Sequence, residues 1–155
     1  NHRSFIDPPA IGIACPRRLR YVARESLFVN RWFSGLIRLV GAVPVRETGN
    51  PISSLRSGLR ILESGQPLVI FPEGTRARGP ELAPGRPGIG FLAVRSGRPV
   101  IPTLIVGSDR VLPRSAVMVR ATKMRVRFGP PVLCTGGYGA ASEKVMEAIR
   151  ALEKT

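Results

Sequence analysis

Residues 66–78 read QPLVIFPEGTRAR. The run LVIF (68–71) predicts a short strand, and a strand without polar positions is typical of a sheet whose two faces are both covered. Pro72 ends the pairing because it lacks an N–H group, and Glu73-Gly74 predicts a turn. Since ligands of α/β sheets bind beyond the carboxyl ends of the strands, the loop after LVIF is a candidate binding site.

Further strands and helices alternate on both sides of this segment. The predicted strands are LRYVA (19–23), AVPV (42–45), VIPTLIVG (100–107), VMVRAT (117–122) and MRVRFG (124–129). The predicted helices include Pro51–Ser64, Gly90–Ser96 and a closing helix Ser142–Lys154 with Ser142 as its N-cap. This order predicts an α/β fold with a mixed, partly parallel central sheet covered by helices, in a single domain over residues 1–155.

The segment Glu25–Val40 predicts one helix with an unusually wide apolar face. Its polar residues Arg31, Ser34 and Arg38 form a single narrow stripe. A face as wide as the remaining one is either buried in the core or inserted into a membrane interface. We expect the buried arrangement.

Charge and cysteine content limit the possible functions. The net charge is +14, from 24 basic and 10 acidic residues, so the surface attracts anions such as phosphates, anionic lipids or nucleic acid. Cys15 and Cys134 are far apart and the chain has one histidine, which argues against a zinc site and favours two free thiols. No apolar run approaches the roughly 20 residues that a membrane span needs.

Three of the chain's arginines follow LVIF within 15 residues. Arg76 and Arg78 lie two positions apart, and Arg86 precedes a predicted helix. Guanidinium groups beside a helix N-terminus suit a phosphate group. A solvated basic loop is the alternative reading of the same residues.

The first residues, NHRSFIDP (1–8), contain the only histidine, His2, with Asp7 five positions later. On one straight helix these side chains would point about 140° apart, so only a turn between them could bring them together. Paired with Asp7, His2 would be a general base. Alternatively, His2 is an exposed terminal residue and Asp7 is an ordinary N-cap before Pro8.

Four segments in this order, NHRSFID (1–7), GAVPVRE (41–47), FPEGTRAR (71–78) and VIPTLIVG (100–107), resemble the conserved blocks of the glycerolipid acyltransferase family. Its best-known members are the 1-acylglycerol-3-phosphate acyltransferases. The resemblance implies a glycerol-phosphate acyltransferase-like fold. It also leads us to expect that a first strand and a membrane-anchoring segment would precede Asn1.

The resemblance implies the roles of particular residues. His2 would be the general base and Asp7 the carboxylate that orients it. The acceptor phosphate would be bound by Glu73, Gly74, Thr75 and Arg76, with Arg76 as the main ligand. Pro72 and Pro102 would line the acyl or acceptor pocket. Backbone N–H groups around Gly74 are candidates for stabilising an oxyanion.

The second block departs from the family pattern. Family members usually carry arginine two residues after the valine of this strand, whereas here Arg46 follows Val45 directly and Glu47 takes the usual place. A shift of one residue on a strand points the side chain to the other face. Arg46 is therefore kept as a phosphate-binding candidate whose altered position leaves the acceptor open.

The implied reaction transfers a fatty acyl group from acyl-CoA or acyl-carrier protein to a lysophospholipid. The commonest acceptor is 1-acylglycerol-3-phosphate, which gives phosphatidic acid in phospholipid biosynthesis, and another lyso-lipid is the alternative. No cofactor or metal is expected, and the expected location is the anionic, cytoplasmic face of the cell membrane. A basic nucleic-acid-binding module is a more distant alternative, but the arginines are dispersed and no stacking or groove-reading motif is present, so we expect no nucleic-acid partner.

Overall fold

The computed structural model of the protein describes residues 1–45, 51–77, 79, 81–113, 116 and 118–154. In these ranges, helices and strands alternate. In chain order they are α1 (Asp7–Ala14), β1 (Arg20–Arg24), α2 (Arg31–Leu39), β2 (Ala42–Val45), α3 (Pro51–Glu63), β3 (Leu68–Val69), α4 (Pro87–Ser96), β4 (Thr103–Val106), α5 (Ser108–Val111), β5 (Arg125–Phe128) and α6 (Tyr138–Ala151). Two short 3₁₀ helices add Glu25–Phe28 and Leu152–Lys154.

The strands form two sheets rather than one continuous sheet. The first has the order β2-β1-β3 with parallel pairing, and the second is the antiparallel pair β4-β5. The predicted mixed α/β architecture is confirmed, with its parallel and antiparallel parts in separate sheets. Because β1, β2 and β3 run in the same direction, their carboxyl ends meet at one edge, where β3 leads into Phe71–Arg76.

The main core lies where α4 and α6 pack against β4. Its buried members are Ile89, Ala93, Leu104, Cys134, Ala141, Val145, Met146 and Ile149. A glycine permits the close contact between the helices, because a Cβ atom at Gly90 would lie 1.8 Å from the Tyr138 carbonyl oxygen. Cys134 belongs to this core, and both it and Cys15 are free thiols, as expected.

Several strand predictions differ from the structure. The strand predicted at 68–71 covers only Leu68–Val69, and VIPTLIVG forms a strand only over Thr103–Val106. Residues 118–122 are not a strand, although they alternate in polarity, because β4 pairs instead with Arg125–Phe128. Polarity alternation shows which residues share a face but not whether a neighbouring strand is available to pair.

The closing helix begins earlier than predicted. Gly137 is its N-cap, and Ser142 lies inside the helix, where its hydroxyl donates to the Arg86 carbonyl at 3.0 Å. Gly136, with φ +85°, forms the turn before the helix. Ala140 and Ala141 are good helix formers and extend the helix toward that turn.

The predicted helix Glu25–Val40 is divided, and the expectation that its apolar face is buried is wrong for Trp32 and Leu39. A 3₁₀ turn ends at Phe28 and α2 starts at Arg31. Trp32 is 92% exposed and Leu39 is 84% exposed. None of the helices in the described ranges is both long enough and apolar enough to cross a bilayer.

Candidate active site

Asp7 organises the first residues of the chain around one carboxylate oxygen. Its Oδ2 accepts the backbone N–H groups of Arg3 (2.6 Å) and Ser4 (2.7 Å) and lies 2.8 Å from Nδ1 of His2. Asp7 is not the N-cap of α1, which is Ile6; it lies in the first turn with its carboxylate folded back over residues 2–4. The turn that the His2–Asp7 pair requires is therefore present.

The environment keeps Asp7 ionised. Burial would by itself raise the pKa of this fully buried carboxyl, but the hydrogen bonds outweigh it and lower the pKa below its usual value. The contributions that lower the pKa come from the His2 ring, from the nearby Ser108 hydroxyl and from the two backbone N–H groups. A negative charge without direct solvent contact is therefore fixed beside the imidazole.

The His2 ring has a defined orientation. It stacks on Phe71 with a centroid distance of 4.0 Å and an interplanar angle of 22°. Because an ionised carboxylate only accepts hydrogen bonds, Nδ1 carries the proton toward Asp7 and the neutral ring keeps a lone pair on Nε2. Within the described part of the chain Nε2 has no hydrogen-bond partner, and the side chain is 18% exposed. This arrangement provides a base that a ligand can reach.

Glu73 joins this segment to the loop after β3. Its Oε1 accepts the His2 backbone N–H at 2.8 Å, and its Oε2 accepts the Ala83 N–H at 3.1 Å. The Ala77 N–H in turn donates to the His2 carbonyl at 2.8 Å. With both carboxylate oxygens bound to backbone donors and the residue buried, these contacts favour a positioning role for Glu73 over the predicted direct phosphate contact.

The remaining residues of the loop bring basic side chains to the same region. Gly74 has φ +71°, and the Arg86 side chain passes so close that a Cβ at Gly74 would lie 2.7 Å from it. The Arg76 guanidinium lies 3.6 Å from the centroid of the Phe5 ring, within the loop that carries His2 and Asp7. Thr75 is exposed between them.

One predicted oxyanion donor is already hydrogen-bonded, and two of the arginines considered for phosphate binding are not described by the structure. The Gly74 N–H donates to the Phe71 carbonyl at 3.0 Å, so it is not available to an oxyanion in this conformation. Arg46 and Arg78 lie outside the described residues.

Two residues that sequence reasoning missed hold the site against the second sheet. The Asn1 side chain accepts the Ile105 N–H at 2.7 Å and donates to the Ile105 carbonyl at 2.8 Å, which ties the segment to β4. Ser108 is fully buried, and its hydroxyl faces the Asp7 carboxylate. Among the described residues, neither Ser108 Oγ nor Asp7 Oδ1 has a hydrogen-bond partner of standard geometry, so the Ser108 hydroxyl acts on the carboxylate as a nearby polar group and not through a well-formed hydrogen bond. The sequence signal for Ser108 is the glycine directly before it, at the end of β4. Gly107 has φ +87°, a backbone conformation that favours glycine and turns the chain at this point.

Comparison with known proteins identifies the family. The sequence model of the Acyltransferase family matches residues 1–106, which include His2, Asp7 and the loop after β3. The chain belongs to the Acyltransferase family. The family expected from the four sequence blocks is therefore confirmed.

Individual relatives of this acyltransferase-family chain agree. A chloroplastic 1-acyl-sn-glycerol-3-phosphate acyltransferase from Brassica napus is 23% identical over 153 residues, which are 97% of this chain and 43% of that protein. The 1-acyl-sn-glycerol-3-phosphate acyltransferase of Bacillus subtilis is 29% identical over 133 residues, 84% of this chain and 63% of the relative. The chain thus spans about half the length of these curated relatives.

A solved structure shows the same fold. The crystal structure of the 1-acyl-sn-glycerophosphate acyltransferase PlsC from Thermotoga maritima superposes with a TM-score of 0.82 at 24% identity. The match covers 99% of this chain and 63% of that one.

An apolar cavity of about 520 Å³ lies behind the candidate site of this acyltransferase-family chain. Its walls include β3, the start of β4 and side chains of α4 and α6, and Pro72 and Pro102 both line it. Phe71, on which His2 stacks, also lines the cavity. No group of three or more His, Cys, Asp or Glu side chains converges on one point in the described ranges.

Proposed function

We propose that this chain is the catalytic domain of an acyltransferase that transfers a fatty acyl group from acyl-CoA or acyl-carrier protein to the free hydroxyl of a lysophospholipid. The proposed acceptor is 1-acylglycerol-3-phosphate, and the product is phosphatidic acid. The observation that carries the proposal is the 2.8 Å contact between His2 Nδ1 and Asp7 Oδ2 in a chain of the Acyltransferase family.

His2 acts as the general base in this proposal. Nε2 takes the proton of the acceptor hydroxyl while its oxygen attacks the thioester carbonyl. The new C–O ester bond forms, the C–S bond breaks, and the proton is passed to the departing thiolate. The buried charge of Asp7 stabilises the imidazolium that exists between these two proton transfers. Phe71 and Glu73 hold the ring and its backbone in place.

Arginine recognises the acceptor phosphate in this proposal. The planar guanidinium of Arg76 can bind a phosphomonoester through two parallel hydrogen bonds. Phe5 supports the guanidinium from one side through the stacking contact. Thr75 and Gly74 complete the binding loop, and Arg46, the next residue in the sequence after β2, is retained as a second ligand. Pro72 and Pro102 form part of the wall of the acyl or acceptor pocket, which the apolar cavity that both line supports.

The reaction needs no cofactor in this proposal, because the thioester supplies the activated acyl group. The substrates are a lysophospholipid and a thioester of CoA or carrier protein. The net charge of +14 suits these anionic substrates and the anionic surface of the cytoplasmic membrane face, where the acceptor would reside.

The first experiment measures thiol release from acyl-CoA in the presence of lysophosphatidate. The protein should turn over, and His2→Ala should lose about 10²–10⁴ in rate, the usual contribution of a general base. A folded His2→Ala variant with unchanged turnover would contradict the mechanism. Binding of duplex DNA with a steep salt dependence, without transfer from either donor, would favour the nucleic-acid-binding alternative.

The second experiment tests the phosphate contact by comparing lysophosphatidate with monoacylglycerol, which lacks the phosphate. Arg76→Ala should reduce the preference for lysophosphatidate by about tenfold or more, because a charge-assisted hydrogen bond contributes roughly 1.5–3 kcal/mol. Arg95→Ala removes an arginine from the last turn of α4 and is the matched control. An unchanged preference in Arg76→Ala would remove this residue from the acceptor site.

A further inference from the structure

Helix α2 and the residues that flank it expose several large apolar side chains to solvent. Trp32 and Leu39, seven residues apart and therefore on one side of the helix, are 92% and 84% exposed. Val29 and Val40, which flank the helix, are 82% and 39% exposed. We call these four residues the α2 apolar face. In an amphipathic helix at a protein surface, such apolar residues normally pack against the protein core.

A polar contact on the other side of the helix accompanies this orientation. The Arg38 guanidinium lies 5.1 Å from the centroid of the Phe28 ring in the preceding 3₁₀ turn, and Nε of Arg38 donates to the Ser34 hydroxyl at 3.3 Å. These contacts hold part of the polar stripe against the neighbouring element. Trp32 and Leu39, outside this stripe, are left exposed.

The start of α2 lies at the same edge of the sheet as the candidate active site. The 3₁₀ turn Glu25–Phe28 directly follows the carboxyl end of β1, and the loop Phe71–Arg76 follows the carboxyl end of the parallel strand β3. Val29 and Trp32 are thus placed at the edge from which a ligand would reach His2.

We propose that the α2 apolar face inserts into the interface of an anionic lipid bilayer and orients the candidate active site toward it. Aliphatic side chains can be buried at the boundary between lipid headgroups and acyl chains, and the amphipathic tryptophan ring favours the same depth in the bilayer. Exposed Arg31 lies beside Trp32 on the helix, and 24 basic residues against 10 acidic ones make the surface complementary to anionic headgroups. This proposal extends the proposed function by naming the surface that meets the membrane.

Trp32 is the only tryptophan of the chain, so its fluorescence reports on this face alone. The protein is mixed with vesicles of phosphatidylcholine and with vesicles in which phosphatidylglycerol replaces part of it. We expect a blue shift of the emission, quenching by lipids brominated on the acyl chain, and cosedimentation that is stronger with the anionic vesicles. No blue shift with either vesicle would overturn the proposal.

A pair of double variants distinguishes membrane binding by the α2 apolar face from nonspecific binding by any exposed apolar side chain. Val29→Ser/Leu39→Ser keeps Trp32 and should weaken vesicle binding by about tenfold or more, because two large apolar side chains can no longer be buried in the bilayer interface. Ile13→Ser/Leu133→Ser also removes two exposed apolar side chains, from other elements, and should bind as the unchanged protein does. Equal binding by both variants would overturn the proposal, because the charged surface alone would then account for it.

The vesicle experiment does not use acyl transfer, so the two proposals fail separately. Loss of vesicle binding with normal turnover of a detergent-dispersed acceptor would overturn only the role of the α2 apolar face. Normal insertion of Trp32 without any transfer would overturn only the proposed function.

Discussion

Replacing Asp7 by asparagine removes the charge beside His2 while preserving the size of the side chain. Oδ2 accepts three hydrogen bonds, from the His2 ring and from the backbone N–H groups of Arg3 and Ser4. A hydrogen bond to a charged group contributes about 1.5–3 kcal/mol and a neutral one about 0.5–1.5 kcal/mol. Asp7→Asn should therefore lower the free energy of unfolding by about 3 kcal/mol, with no discount for solvent because the side chain is fully buried.

The same change should impair catalysis more than stability alone explains. Without the carboxylate, the ring is no longer held with its proton on Nδ1, and the imidazolium has no counter-charge. We expect the rate of acyl transfer to fall by about 10²–10⁴, the contribution of a positioned general base. Urea unfolding and thiol-release kinetics measure the two effects on the same preparation. Asp109→Asn, at an exposed position, is the matched control and should change neither.

The dependence of stability on pH at acid pH provides an independent check on the His2–Asp7 pair. Because hydrogen bonds lower the folded-state pKa of Asp7, its ionised form stabilises the native state above the ordinary carboxyl pKa of about 3.9. That stabilisation is lost as the pH falls through the lowered, folded-state value. Acid unfolding of the unchanged protein should include this component, and Asp7→Asn should lack it. An Asp7→Asn protein with unaltered kinetics and an unaltered acid limb would refute the assignment of the pair.

Three further substitutions test the surroundings of the site and the packing of the fold. Ser108→Ala should raise the pKa of Asp7 and cost about 1 kcal/mol, so acid unfolding should begin at higher pH; an unmoved midpoint would remove Ser108 from the site. Gly90→Ala should lower the free energy of urea unfolding by about 1–3 kcal/mol, since its Cβ would overlap a carbonyl of α6, and a stability within error of the parent would contradict that packing. Gly74→Ala forces a left-handed residue and displaces the Arg86 side chain, so KM for lysophosphatidate should rise; an unchanged KM would show that this turn does not shape the acceptor site.

Several features of the fold follow from local chemistry and were predictable. The strand Ala42–Val45 and the helix Pro51–Glu63 lie where apolar spacing placed them, because periodicity and breakers such as Gly65 act over a few residues. Errors arose where a distant partner decides the outcome. Residues 118–122 alternate as well as Arg125–Phe128 do, yet only the latter pair with β4.

The orientation of α2 shows the same division. The sequence identifies which residues share the apolar side, but it does not show that Trp32 and Leu39 on that side are exposed. Periodicity specifies faces, whereas burial requires a neighbouring element to cover them.

By itself, the sequence determined the alternation of strands and helices, the family, and the residue types that carry the proposed chemistry. His2 and Asp7 are close in the chain, so a single turn suffices to join them. Only the tertiary structure brought Glu73 to the backbone of His2, 71 residues away, and the Ser108 hydroxyl to Asp7. The physical reason is that such partners are brought together by the packing of segments that are distant in the chain, and the spacing of residues along the sequence does not specify those distances.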